Sequence, residues 1–346
     1  MIYPTGPNSP TGLTGEDHIL EIIGSHFLPH PPGLLLGRGD DCAVLPPGGN
    51  RVITCDIFAE NAHFRRLYFS PYEIGYKALA VNLSDVASAG ATPEAFVLSL
   101  SLTGKEDVDW LHDFCRGMAA LADEYGVALA GGDIARTTEL NISISAWGAL
   151  CPELPLGFTR NNASPGDFIF CLGELGLARL GLTMLERAKS LPDVAQIKAA
   201  WPKACAQHLA PKPQIEASRA LCETFKKEKL RHPQLKWSLM DVSDGLARDL
   251  PRLLKASGGL GADIILPQEI IPAEVQAYAA QNGLDPAQFC FQGGEDYALL
   301  GTCPEACLRA LQTALGANFT ILGRVTRQNL TLNGLDFRQE GFDHFS

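Results

Sequence analysis

Residues 107–133 read DVDWLHDFCRGMAALADEYGVALAGGD. Val108, Leu111, Phe114, Met118, Leu121 and Tyr125 recur at three- or four-residue intervals, which places them on one face of a helix over Asp107–Tyr125. Val127 to Ala130 is then a continuous apolar run, the pattern of a buried strand, and it leads into Gly131-Gly132-Asp133. Working outward, Arg51 to Cys55 reads as a short strand that stops at Asp56. Residues 72–90 read as a helix closed by Gly90, 95–102 as a strand, and 140–146 as a half-buried strand with alternating polarity. Turn-rich segments, Cys151-Pro152-Glu153-Leu154-Pro155 and Ser164-Pro165-Gly166-Asp167, interrupt the pattern. A new strand starts at Phe168, and helical stretches are predicted around 176–190, 212–228 and 244–257, with a strand near 263–266. Pro251 requires the helix over 244–257 either to begin near Asp249 or to kink. Strands and helices alternate in both halves, so the fold class is α/β (α+β). Two domains are expected, over 16–150 and 151–346, behind a flexible tail at 1–15.

With 346 residues, each half is long enough to bury a core of its own. The net charge is −11 and no basic run is present, which argues against a nucleic-acid partner, because binding a phosphate backbone needs clustered Lys and Arg. An acidic protein that binds anionic nucleotides must place cations between the two. No segment approaches the roughly 20 apolar residues of a membrane span. The N-terminus lacks the basic start and apolar stretch of a signal peptide. The ten cysteines form no CxxC pair and sit among apolar neighbours, as small fillers in a reducing cytosol would; Cys303 and Cys307 have the spacing of one helix. A cytoplasmic protein is expected.

Seven aspartates stand in short motifs punctuated by Gly and Ser: Gly39-Asp40-Asp41, Thr54-Cys55-Asp56, Asn82-Leu83-Ser84-Asp85, Gly131-Gly132-Asp133 and Asp241-Val242-Ser243-Asp244-Gly245. Each lies at the end of an apolar run or inside a turn signal. Oxygen donors in that number suit Mg²⁺ carrying a polyphosphate better than a softer metal. A single aspartate in a Gly-rich turn is commonly a backbone cap, so spacing alone leaves metal binding and capping both open. The chain has no GxxxxGK[ST], no dinucleotide-binding GxGxxG, no HExxH and no GxSxG. Gly258-Gly259-Leu260-Gly261 reads as a helix C-terminal turn.

Five segments carry a resemblance. They are Gly39-Asp40-Asp41-Cys42-Ala43-Val44, the run Tyr76-Lys77-Ala78-Leu79-Ala80-Val81-Asn82-Leu83-Ser84-Asp85, Gly131-Gly132-Asp133, Asp241-Val242-Ser243-Asp244-Gly245-Leu246 and Gly293-Gly294-Glu295-Asp296-Tyr297. In this order and spacing the chain resembles the thiamine-monophosphate kinase family, of the aminoimidazole ribonucleotide synthetase-like superfamily, from about Glu16 to the C-terminus. The Gly-Gly-Glu-Asp-Tyr segment and the closing Gly341-Phe342-Asp343-His344-Phe345 favour that branch over its cousins.

The resemblance implies transfer of a phosphoryl group from ATP to thiamine monophosphate, giving thiamine diphosphate. It implies an N-terminal domain whose sheet pairs with that of a second subunit into a barrel across a homodimer, with a C-terminal α/β domain packed on it. Asp41, Thr54, Asp56, Asp85, Asp133, Asp241 and Asp244 would hold several Mg²⁺ ions, with Cys55 between two of them. Gly132, Asp133, Arg160 and Ser243 would contact ATP. His63, Glu295 and Phe342 would hold thiamine monophosphate. Asp133 and Asp244 would be central to catalysis, and Lys77 would add positive charge near the phosphates. Read without the family, Lys77 is a solvated or snorkelling helix lysine. The acceptor phosphate is already ionised, so the reaction needs positioning and charge neutralisation but no general base.

The chain departs from the family pattern at three places. Cys55 stands where Thr is common, and a thiol is a poor ligand for Mg²⁺. Asn61 and Ala62 precede His63 where Gly is common. Phe342 lacks a tyrosine hydroxyl and leaves only stacking. Another ATP-dependent synthetase of the superfamily and a non-catalytic nucleotide-binding relative are the alternative readings. No mobile Gly-rich N-terminal loop carries a Cys for selenide chemistry, and a scaffold has no reason to gather so many carboxylates.

Overall fold

The computed structural model describes residues 12–28, 34–35 and 45–337. They divide into two compact units. The first contains the described residues up to Gly48 with Ile53–Asn82 and Pro93–Gly148; the second contains Gly49–Val52, Leu83–Thr92 and the described residues from Ala149 onward.

The first unit is built on a four-stranded sheet. Its strands are β1 (Arg51–Ala59), β2 (Thr92–Leu102), β3 (Ala128–Arg136) and β4 (Asn141–Ala149), in the order β1-β4-β2-β3. Helices α1 (Glu16–Ser25), α2 (Pro71–Ser88) and α3 (Val108–Tyr125) accompany it. Helix α3 starts where the Asp107 carboxylate accepts a hydrogen bond from the Trp110 amide at 2.7 Å, and stops at Gly126, which takes a left-handed φ of 68°. Its buried face carries Leu111, Phe114, Met118 and Leu121, the apolar positions of the periodic stretch. It joins the parallel strands β2 and β3. Helix α2 begins on a reciprocal cap: the Glu73 carboxylate accepts from the Ser70 amide at 2.7 Å, and the Glu73 amide donates to Ser70 Oγ at 3.3 Å. Its last residues, from Leu83, belong to the second unit.

Alternation decides which side chains face inward. In β4, Ile142, Ile144 and Ala146 are buried, and Ser143, Ser145 and Trp147 between them are half-buried. In the edge strand β1, Phe58 is buried, whereas Ile53 and Ile57 are 76% and 62% exposed.

The second unit has a seven-stranded mixed sheet. Strands β5 (Phe168–Leu172), β6 (Ser238–Val242), β7 (Gly261–Ile264), β8 (Ala298–Cys303), β9 (Phe319–Thr326), β10 (Leu330–Leu332) and β11 (Leu335–Asp336) run in the order β11-β10-β7-β9-β5-β8-β6. Neighbours are antiparallel except β7 and β10. Helices α4 (Leu177–Leu185), α5 (Leu191–Ala200), α6 (Pro202–Leu209), α7 (Ile215–Arg231), α8 (Leu246–Ala256), α9 (Ala273–Asn282), α10 (Pro286–Phe291) and α11 (Glu305–Leu315) complete it. Ile169, Leu180, Met240, Leu250, Leu300 and Leu322 share its main core. No described helix is long and apolar enough to cross a membrane.

Three local readings of the sequence change. Helix α8 begins at Leu246 and continues through Pro251, so it starts before Asp249. Cys303 ends β8 and Cys307 lies in α11, because Pro304 separates strand from helix. Gly131-Gly132-Asp133 lies within β3, so that motif is not a turn, whereas Asn82-Leu83-Ser84-Asp85 lies within α2, as the helix read over 72–90 has it. The described cysteines are all free.

A buried carboxylate closes the N-terminus of α4. Gly176, at the cap position, has no side chain to offer, and Asp296 supplies the acceptor from far along the chain. Its Oδ2 accepts from the Gly176 amide at 2.7 Å and its Oδ1 from the Ala178 amide at 3.1 Å. Burial pushes the Asp296 carboxyl up to about 7, although both amides pull the other way. In the unfolded chain the same group titrates near its ordinary value, about 4. Between about pH 4 and about pH 7 the folded state therefore holds a proton that the unfolded state has lost, and stability falls as pH rises through that window. In urea titrations, Asp296→Ala should lower the unfolding free energy by about 2 kcal/mol, through two orphaned amides. Asp296→Asn should flatten the pH slope; an unchanged slope would place that titration elsewhere.

Candidate active site

In the second unit, two motifs some fifty residues apart in sequence become neighbours through strand register. Strands β6 and β8 are antiparallel, with Asp241 opposite Leu299 and Val242 opposite Ala298. The loop leaving β6 and the turn entering β8 therefore emerge at the same edge. The Glu295 amide donates to the Ser243 carbonyl at 2.7 Å, and the Tyr297 amide to the Val242 carbonyl at 3.0 Å. The backbones approach so closely that a Cβ on Gly294 would lie 2.7 Å from the Ser243 carbonyl oxygen. One on Gly245, whose φ is 97°, would lie 2.7 Å from the Gly293 carbonyl oxygen. Only glycine fits at either position. Glu295 and Tyr297 hold positive φ values of 62° and 49°, uncommon for side-chain-bearing residues and held by these contacts.

Each carboxylate here has a defined environment. Asp241 is buried in β6, and its Oδ2 accepts from the Ser84 hydroxyl of α2 at 2.9 Å. Half-buried Asp85 is the next residue on that helix. The Ser243 and Asp244 amides donate to Asp249 Oδ2 at 3.1 and 2.9 Å. Arg252 Nη1 donates to Asp244 Oδ2 at 2.6 Å and to Asp249 Oδ1 at 2.8 Å. Burial, reinforced by the Asp244 charge, pushes the Asp249 carboxyl up to about 6, against the pull of the Asp244 amide and Arg252. Glu295 Oε2 lies 3.0 Å from Nδ1 of His208, a fully buried residue of α6. Arg160 is exposed, while its carbonyl is anchored by the hydroxyls of Ser238 at 3.2 Å and Ser257 at 2.8 Å.

In the first unit, alternation along β1 turns Thr54 and Asp56 to one side and Cys55 to the other. The Cys55 thiol lies 3.6 Å from Ser143 Oγ, on the side that carries Ile53 and Ile57. Asp133 is exposed on the edge strand β3, opposite Ser99. Beside it, a Cβ on Gly132 would lie 2.0 Å from the Leu98 carbonyl oxygen, so no other residue keeps β3 in register there. His63 Nδ1 accepts from the Ala59 amide at 3.1 Å, which leaves the neutral ring's proton on Nε2. Asn61 takes a φ of 66° and donates its amide to the Phe64 carbonyl at 2.9 Å. Asn tolerates the left-handed region, so the absence of Gly before His63 is accommodated. Lys77 is fully buried, with Nζ 5.5 Å from the centre of the Phe69 ring and 6.0 Å from that of Phe58. It is not the solvated lysine that helix periodicity suggests.

Asp40, Asp41, Cys42 and Phe342 lie outside the described residues. Among those described, no group of three or more His, Cys, Asp or Glu is assembled as a metal site. Asp249, Arg252 and His208 escaped the sequence reading. The first two sit in the opening turns of α8, where Asp-x-x-Arg reads as ordinary surface charge; their contacts with the preceding loop appear only once the backbone is folded. Nothing local in the sequence marks His208 as the neighbour of Glu295.

Comparison with known proteins identifies the relatives of the chain. A family model, AIR synthase related protein, N-terminal domain, matches residues 39–150. Thiamine-monophosphate kinase of Escherichia coli (strain K12) is 33% identical over 330 residues, covering 90% of this chain and 92% of that protein. The crystal structure of thiamine-monophosphate kinase from Stenotrophomonas maltophilia K279a superposes with a TM-score of 0.74 at 29% identity, over 92% of this chain and 96% of that one. A structure of AaThiL complexed with AMPPCP and TMP superposes with a TM-score of 0.69 at 25% identity, over 96% of this chain and 97% of that one. With more than 30% identity along nine-tenths of its length, the chain belongs to the thiamine-monophosphate kinase family.

Proposed function

We propose that the protein phosphorylates thiamine monophosphate to thiamine diphosphate with ATP as the phosphoryl donor. Beyond family membership, one observation carries the reading. Ser243, expected on the nucleotide side and next in sequence to Asp244, expected on the metal side, accepts a hydrogen bond through its carbonyl from the amide of Glu295, expected on the thiamine side. The two recognition elements are thus fixed against each other by main chain, which is what an in-line transfer between two bound phosphates requires.

The candidate donors fit magnesium. They are carboxylate and hydroxyl oxygens, and Asp244 already holds one cation, the Arg252 guanidinium. Thr54, Asp56 and Asp133 in the first unit, and Asp85, Asp241 and Asp244 in the second, would hold the ions, together with Asp41. Cys55 would take part through its backbone carbonyl, its thiol being turned away. Bound magnesium would neutralise charge on the donor and acceptor phosphates. The chain's own residues do the positioning. Arg160 offers an exposed guanidinium to a nucleotide phosphate, and Gly132 lets main chain approach it. His63, in its stiffened loop, presents an Nε2 proton donor to the thiamine phosphate, and Phe342 completes that side by stacking. Lys77, sealed from solvent, contributes through its charge and not by contact.

The domain roles follow the same reading. Residues 16–150 serve dimerisation and metal binding, and 151–346 form the C-terminal domain. The exposed Ile53 and Ile57 on β1 support a homodimer in which this sheet pairs with its copy into a barrel. The free cysteines are those of a cytosolic enzyme.

Incubation with ATP, Mg²⁺ and thiamine monophosphate should yield thiamine diphosphate by chromatography, and folded protein that yields none at any Mg²⁺ level overturns the reading. Asp133→Asn should lower kcat by at least about a hundredfold with the melting temperature held within about 2 °C, since the side chain is exposed. A large drop in melting temperature would instead make Asp133 a structural residue. Cys55→Ser should leave both kcat and the Mg²⁺ requirement unchanged; a shifted Mg²⁺ optimum would bring the thiol into the metal site. Ile53→Glu combined with Ile57→Glu should convert a dimer into a monomer in size-exclusion chromatography, and an unchanged elution volume would move the interface off β1.

A further inference from the structure

Arg252 holds two carboxylates with a single nitrogen, one proton to each: Asp244 Oδ2 at 2.6 Å and Asp249 Oδ1 at 2.8 Å. The two acids differ in what else binds them. Asp249 has no solvent-exposed side-chain surface, and its other oxygen is committed to the Ser243 and Asp244 amides. It cannot turn toward another cation without releasing the loop. Asp244 is 24% exposed, and Arg248 approaches it only to 3.9 Å. The Arg252 side chain is itself 37% exposed. It can therefore withdraw from Asp244 toward water and keep its bond to Asp249.

We infer that Arg252 is a resident counter-cation for Asp244. It holds that carboxylate in place while no divalent ion is bound, and competes with the ion for it. The inference rests on the reading of Asp244 as a magnesium ligand. Anchored on Asp249, the guanidinium offsets the repulsion between the two carboxylates and keeps Asp244 in one position. A divalent ion then meets an ordered ligand but must displace one charge-assisted hydrogen bond to use it. Arg252 is thus a positioning residue that tunes metal affinity.

The two roles make opposite contributions, and that separates them from simple structural support. Mg²⁺ is titrated into nucleotide-free, full-length protein, and its binding is followed by the rise in melting temperature. Arg252→Met should melt lower than the parent without Mg²⁺, yet reach half of its Mg²⁺ response at about a fivefold lower concentration, the size expected for removing a partly exposed competing ion pair. Arg252→Lys keeps the charge and the fold if the methionine variant does not fold, and should lie near the parent. Asp244→Asn is the control and should weaken the Mg²⁺ response. If Asp244→Asn weakens it while Arg252→Met leaves the half-saturating concentration unchanged or raises it, the inference is overturned and the metal reading stands. If the methionine variant is unfolded, a half-saturating concentration in Arg252→Lys well above the parent's overturns it equally. If Asp244→Asn leaves the response unchanged, Asp244 is no ligand and the reading beneath the inference fails with it.

Discussion

The second unit turns on a main-chain contact, the seam between the loop after β6 and the turn before β8. Antiparallel register brings the two segments to one edge, but register alone would leave side chains between them. Gly245 and Gly294 remove those side chains, and the gap closes to hydrogen-bonding distance. Closing it forces Glu295 and Tyr297 into positive φ, at a cost of order 1 kcal/mol each. Asp296, between them, is anchored to the first amides of α4. The turn is thus held from both sides, and Glu295 is presented at a fixed place beside Ser243 and Asp244.

That seam concentrates acidic groups, and the fold answers each with a specific partner. Asp241 meets the Ser84 hydroxyl, Asp249 two amides and a guanidinium, Asp296 two amides, and Glu295 the His208 ring. Amides and hydroxyls stabilise a carboxylate by dipole without adding net charge, and they leave the region negative. Net negative potential in a protein that binds anionic phosphates makes sense only with cations between them, and Arg252 already fills part of that role.

The long amphipathic stretches were legible. The periodicity of 107–125 and the apolar run 127–130 become α3 and the start of β3 because apolar spacing and burial select the same face. The N-terminal caps, Asp107 on α3 and Ser70 with Glu73 on α2, emerge only with the fold. Glycine and aspartate next to each other were less legible. In Gly131-Gly132-Asp133 they suggest a turn, yet the glycine is there because Leu98 of the adjacent strand leaves no room for a Cβ. Asn82-Leu83-Ser84-Asp85, by contrast, falls inside the helix read over 72–90 and lies in α2, where Asn82 Nδ2 donates to the Ala78 carbonyl and the Ser84 hydroxyl to Asp241. The second layer around the site, Asp249, Arg252 and His208, depends on contacts between distant or differently folded segments. Local pattern does not encode those contacts.

Burial then separates the acidic residues by what each can still do. A carboxylate with both oxygens bound to the protein and no exposed surface cannot take a metal ion without breaking the structure around it; Asp249 and Asp296 are in that position, and motif matching alone would not distinguish them from ligands. Asp244 and Asp85 are half-buried, Asp133 is exposed, and Asp56 is half-buried on β1, so each keeps surface open to an ion. Asp241 is buried, and its Oδ2 accepts from the Ser84 hydroxyl. Asp249 fixes the backbone of the loop that carries Asp244. Position in the motif suggests which aspartates matter, and burial separates those that hold the loop from those that keep exposed surface.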